Sequence, residues 1–219
     1  MADTTAPVIK SITAAGPSGA TLVGEGDIVT FTAVMTDANE IKADTKFIIN
    51  LDDGLGSVEL TRTTSTATDE LTGQYIVQVG DNSSGLSLSN YIIPTSESGA
   101  RDISGNQLKG GASIALTNDD VIVVDTTEPA ALAAHTYVSD KLTVILSEVI
   151  TNESRADLET ALKALTGVNE VDSSYENTLG IRLSIDGGFT QTEIDITSAN
   201  VSLEDTYGNT ALVTTIDVI

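Results

Sequence analysis

Hydrophobic and polar residues alternate along most of the chain, and the alternation predicts strands. The strongest run is Ile28-Val29-Thr30-Phe31-Thr32-Ala33-Val34-Met35, with 29, 31, 33 and 35 on one face. Stretches 8–12, 47–49, 58–62, 75–79, 90–93, 112–116 and 121–124 are further strands, and in 75–79 the period groups Tyr75, Val77 and Val79. Breaks rich in Gly, Asp, Asn and Ser separate them, such as Asp52-Asp53-Gly54 and the stretch 80–85. About seven short strands in ~120 residues is the pattern of a β-sandwich.

The later part of the chain continues the pattern with one interruption. Within 137–146, Leu142, Val144 and Leu146 share a face, and 181–185, 194–196 and 211–219 are strands. Between them the period changes. Leu158, Ala161, Leu162 and Leu165 fall at i, i+3, i+4 and i+7, after a capping-box pattern Ser154-Arg155-Ala156-Asp157 and before Gly167. This predicts a short α-helix over about 155–166.

Two motifs recur in the same order. Asp3-Thr4-Thr5-Ala6-Pro7 returns as Asp125-Thr126-Thr127-Glu128-Pro129, and Asp102-Ile103-Ser104-Gly105-Asn106 returns as Asp205-Thr206-Tyr207-Gly208-Asn209. Each half therefore opens with D-T-T-x-P and carries D-x-x-G-N near its end. The repeat divides the chain into domains 1–124 and 125–219. The acidic residues divide evenly, 16 and 16, with 6 basic residues before Asp125 and 4 after. The linker is short, and Pro129 holds Glu128 extended, so a stiff rod is expected rather than a flexible tether.

Composition narrows the function. With 32 acidic and 10 basic residues the net charge is −22, which repels nucleic acid phosphates and anionic membrane surfaces. No apolar run approaches the ~20 residues of a membrane helix. There is no Cys, hence no disulfide and no thiolate site, and no Trp; the core must be Val, Ile, Leu and Ala. The absence of Cys points to a bacterial, archaeal or viral source. The N-terminus has neither the basic nor the apolar region of a signal peptide. That fits a piece of a larger protein, export without an N-terminal signal, or assembly in the cytoplasm as virion proteins assemble.

Nothing marks a catalytic centre. His135 is the sole histidine and no G-x-S-x-G elbow accompanies it. Gly16-Pro17-Ser18-Gly19 lacks the Lys-Ser/Thr of a phosphate loop. A carboxylate-only glycosidase usually needs aromatic sugar platforms, which five Tyr and no Trp supply poorly. The expectation is that the protein is not an enzyme.

Carboxylates are the remaining chemistry. Asp102 and Asp205, with side-chain oxygens of Asn106 and Asn209, are candidate calcium ligands; the competing reading is a tight turn in which Asp bonds its own backbone and Gly is left-handed. Asp119, Asp120, Asp125 and Glu128 lie within ten residues at the domain junction and form a second candidate calcium set, against simple solvation. Asp205, placed at the far end of the second domain if modules stack end to end, is not expected to join them. Asp37-Ala38-Asn39-Glu40 and Asp52-Asp53-Gly54 read as acidic turns. No EF-hand spacing occurs.

The D-T-T-x-P start, the D-x-x-G-N turn and the acidic, Cys-free, Thr-rich composition resemble bacterial Ig-like repeats of surface adhesins, biofilm proteins and S-layer proteins. The resemblance covers the whole chain and implies an all-β protein of two tandem immunoglobulin-like β-sandwich domains, the second with the helix at 155–166 as a departure from the plain pattern. It further implies end-to-end modules, often stiffened by calcium at their junctions. The expected function is a non-catalytic structural or adhesive module at the bacterial cell surface. Its partners would be other copies or neighbouring domains of a surface assembly, or a glycan or protein receptor. Related Ig-like domains decorate phages, so a virion decoration or fibre protein is the alternative. A third reading, a carbohydrate-binding module, would use Tyr75, Tyr91 or Tyr175.

Overall fold

The computed structural model describes residues 3–36, 40–62, 69–96, 98–109, 115–117, 120–132, 141–172, 179–185 and 193–218. Parts of the predicted strands 112–116 and 137–146, the turn residues Asp37, Ala38 and Asn39, and Asp119, His135 and Tyr175 lie outside them. Among the described residues the fold is all-β with one α-helix, and the chain forms two compact units, Met1–Thr126 and Thr127–Ile219. The division falls inside the second D-T-T-x-P stretch.

The first unit contains β1 (Val8–Ala15), β2 (Leu22–Val23), β3 (Ile28–Thr36), β4 (Lys46–Leu51), β5 (Ser57–Thr61), β6 (Glu70–Ile76), β7 (Leu88–Ile92) and β8 (Val123–Val124). Six of them form an antiparallel sheet in the order β1-β3-β6-β5-β4-β7, while β2 and β8 pair in parallel. β5 and β6 share a single register pair, Thr61 with Thr72. On either side of that narrow join, β1-β3-β6 and β5-β4-β7 turn alternate residues into one core. Val29, Phe31, Ala33 and Met35 come from one side, and Phe47, Ile49 and Leu60 from the other. The result is sandwich-like. Gly73 permits the join, since a Cβ there would lie 2.3 Å from the Glu59 carbonyl oxygen.

The second unit contains β9 (Ala131–Leu132), β10 (Lys141–Leu146), α1 (Asn152–Lys163), β11 (Val168–Val171), β12 (Gly180–Ile185), β13 (Glu193–Asp195), β14 (Val201–Glu204), β15 (Thr210–Val213) and β16 (Thr215–Asp217). A four-stranded sheet runs β11-β12-β10-β9, and β13-β16 and β14-β15 form two-stranded ladders. Its core gathers Leu142, Val144 and Leu146 with Leu158, Ala161 and Leu162 of the helix and Ile181, Leu183, Ile194 and Leu203.

Two expectations shift. The helix starts at Asn152, because Thr151 takes the N-cap and accepts from the Ser154 N–H at 3.3 Å. Ser154 is a buried helical residue whose hydroxyl accepts from the Glu204 N–H at 2.9 Å, so it ties α1 to β14 instead of capping. The strand expected at 75–79 lies at Glu70–Ile76, and Val79 is 74% exposed. The Asp81 carboxylate accepts from the Gln78 N–H at 2.6 Å and turns the chain away before Val79 can face inward.

Candidate metal-binding loops

The two D-x-x-G-N loops close in the same way, each inside its own unit. Asp102 bridges Ile41 and Asp205 bridges Ile150 as isolated antiparallel pairs. The Asp102 N–H donates to the Asn106 carbonyl at 3.0 Å, and the Asp205 N–H to the Asn209 carbonyl at 3.1 Å. Gly105 and Gly208, at φ +91° and +88°, make the left-handed step that brings the chain back.

Both aspartates are buried, at 0% and 1% exposure. A buried carboxylate is tolerated only when its oxygens receive hydrogen bonds. The Asn106 N–H donates to one Asp102 oxygen at 2.7 Å, and the Asn106 Nδ2 amide to the other at 2.8 Å. Asp205 receives the N–H groups of Tyr207 and Asn209 on Oδ1, at 2.7 and 2.9 Å, and the Asn209 Nδ2 amide on Oδ2 at 2.8 Å. Turn chemistry accounts for this geometry in both copies.

The surroundings of the two loops differ. In the first unit the opening motif folds onto the loop: the Asn106 amide also reaches the Asp3 carbonyl at 3.3 Å and its Oδ2 at 3.4 Å. Asp3 Oδ1 accepts from the Thr5 N–H at 3.0 Å, and Pro7 is buried. In the second unit Ala130 pairs with Ser147, N–H to hydroxyl at 2.8 Å and carbonyl from N–H at 2.8 Å. The next residue is the half-buried Glu148, and carboxylate oxygens of Glu148 and Asp205 lie within 4.8 Å of one another.

That proximity corrects one expectation. Asp205 stands at the end of the second unit where its chain begins, not at the far end, because its loop returns to the turn that receives Ala130. Glu148 was not legible as a partner. It follows a strand with no motif around it, and only the fold brings it to Asp205.

Asp120 is exposed and borders a shallow open cavity with Thr13, Thr21, Thr117 and Ile122. Asp125 is half-buried, with its N–H on the Val23 carbonyl at 3.0 Å, and Glu128 is exposed. Asp52 and Asp53 accept from the Ser87 and Ser83 hydroxyls at 2.8 and 2.6 Å, in a turn with Asp53 and Gly54 at positive φ. Tyr91 packs edge-on against Phe47, with centroids 6.2 Å apart, and the Tyr75 hydroxyl donates to Asp81. Both tyrosines are half-buried.

No family model matches the chain, and no curated protein matches it. The site's own chemistry therefore carries the interpretation. Two carboxylates this close repel each other, and a bound cation would relieve that repulsion. An all-oxygen set suits a hard cation such as calcium, which completes six to eight ligands with carbonyls and water. Glu148 and Asp205 fit part of such a shell and could hold a metal ion.

Two further groups have shifted acidities. Tyr75 is pushed well above the usual tyrosine value, first by burial, then by its hydrogen bond to Asp81 and that carboxylate's charge. The exposed Asp195 is held below the usual carboxylate value by the Thr197 hydroxyl and then by the Thr197 N–H, which donates at 2.9 Å.

Proposed function

We propose that the chain is a non-catalytic structural module: two immunoglobulin-like sandwiches in tandem, acting as a stiff spacer in a surface-exposed bacterial protein of the adhesin or S-layer type. The observation that supports this reading best is the shortness of the joint. Hydrogen bonds of the first unit reach Thr126, and Ala130, four residues on, pairs within the second. Among the residues between, Pro129 has a fixed φ and is buried. So brief a connection favours two units that move together.

Calcium fits the same reading. An ion on Glu148 and Asp205 would neutralise the charge at the entry of the second unit. Extracellular modules bind calcium with Kd of roughly 10⁻⁴ to 10⁻³ M, so the ion would be present outside a cell and largely absent from the cytosol. Backbone 15N relaxation of the full chain tests the spacer. The reading expects both units to report one common tumbling time in calcium. Two independent, shorter tumbling times would overturn it.

A further inference from the structure

The last residues of the first unit are bonded on both sides. The Leu86 N–H donates to the Ile122 carbonyl at 2.8 Å and the Val123 N–H to the Thr21 carbonyl at 2.8 Å. Ser83 and Val124 exchange N–H to carbonyl bonds at 2.8 and 2.9 Å, and the Asp125 N–H reaches Val23. Thr126 ends the series with three bonds to one loop. Its N–H donates to Asn82 Oδ1 at 3.0 Å, its hydroxyl donates to the Asp81 carbonyl at 3.1 Å, and the same hydroxyl accepts from the Gly80 N–H at 2.9 Å.

That loop is itself held. The Asp81 carboxylate takes the Gln78 N–H and the Tyr75 hydroxyl, and Tyr75 is fixed on β6 opposite Val29. A connected set of bonds thus runs from the sheet through Tyr75 and Asp81 to the last residue of the unit. Thr suits the terminal position. Its β-branch stiffens χ1 in an extended backbone, and its hydroxyl both donates and accepts.

We infer that the loop 78–82 is a latch on the joint, with Thr126 as the positioning residue that fixes the direction in which the chain leaves the first unit. The inference rests on the spacer reading and deepens it. With the latch closed, backbone rotation is confined to the few residues before Ala130, and Pro129 restricts Glu128 within them. With Thr126 released, the swinging stretch begins earlier and the joint samples a wider cone. Asp125 stays held through its own N–H, so the unit keeps its fold.

The absence of cysteine allows a clean test on the full chain. The exposed Lys10 and Lys163 are replaced by cysteine and spin-labelled, and pulsed EPR gives the distribution of the distance between the labels. Thr126→Val keeps the shape and removes both hydroxyl bonds. It is expected to broaden the distribution and to speed amide exchange at Gly80 roughly fivefold, as for one net hydrogen bond lost. Asn82→Ala, which removes the acceptor of the Thr126 N–H together with the Asn82 amide's bond to the Gly80 carbonyl, should broaden it as well. Ser87→Ala breaks a bond elsewhere in the first unit and should leave the distribution narrow. A narrow wild-type distribution that stays narrow in Thr126→Val, with Gly80 exchange accelerated, would overturn the latch alone. A broad distribution in the wild type would overturn the spacer reading and the latch with it.

Discussion

The loops at Asp102 and Asp205 are one motif in two electrostatic settings. Both bury an aspartate, close with a left-handed glycine and satisfy the carboxylate with a following asparagine. At Asp102 the asparagine amide is shared with Asp3, whose backbone carbonyl is one of the two atoms it reaches. At Asp205 a second carboxylate, Glu148, comes within 4.8 Å. The first arrangement is a lock. The second is the same lock with surplus negative charge beside it, and surplus charge near a buried group is what gives a structural turn a reason to bind a cation.

Substitutions that break the locks should have the largest effects. Asp102→Ala leaves the Asn106 N–H without its acceptor and the Asn106 amide with Asp3 alone, and about 3 kcal/mol of the first unit's stability should be lost. Asp205→Ala orphans three donors but also removes a carboxylate from beside Glu148, so in EDTA it should cost less than Asp102→Ala. Urea titrations that follow each unit separately would check the order. A larger loss at Asp205 in EDTA would mean that repulsion from Glu148 is unimportant.

Gly105→Ala and Gly208→Ala come next. Nothing lies within 4 Å of a Cβ built at either position, so only the positive φ matters, at about 1–2 kcal/mol each. Near-equal losses of melting temperature are expected for the two units. Unequal losses would show that the backbones of the loops differ as well as their surroundings.

Smaller effects depend on pH and fall on different units. Because folding raises the pKa of Tyr75, the unfolded chain ionises first as pH climbs past the usual tyrosine value near 10. The first unit's stability should be complete below that pH and decline above it, and Tyr75→Phe should flatten the decline in alkaline melts. In the second unit Asp195 is lowered. Its contribution is present above the usual aspartate value near 4 and fades as pH falls further. Asp195 is exposed, so Thr197→Ala should change acid melts only slightly.

Long alternating runs were legible in the sequence, since burial follows the period at Val29, Phe31, Ala33 and Met35 and again at Leu142, Val144 and Leu146. Several short strands were not. Leu22–Val23 and Ala131–Leu132 are too brief to display a period, and Val168–Val171 buries neither face regularly. The front of β6 was hidden because Gly73 and Gln74 interrupt its pattern. The turn residues of both loops were readable from their local chemistry. Glu148 was not, because its role depends on a long-range contact to Asp205.

The most direct test of the central contrast is calorimetry of the full chain in EDTA and in a few millimolar calcium, with Glu148→Gln beside the wild type. The account predicts that calcium raises the transition of the second unit by about 1–2 kcal/mol of stability at the expected affinity, leaves the first unit's transition in place, and has no effect on the second unit of Glu148→Gln. Coincident melts with and without calcium, or an equal rise in both units, would contradict it.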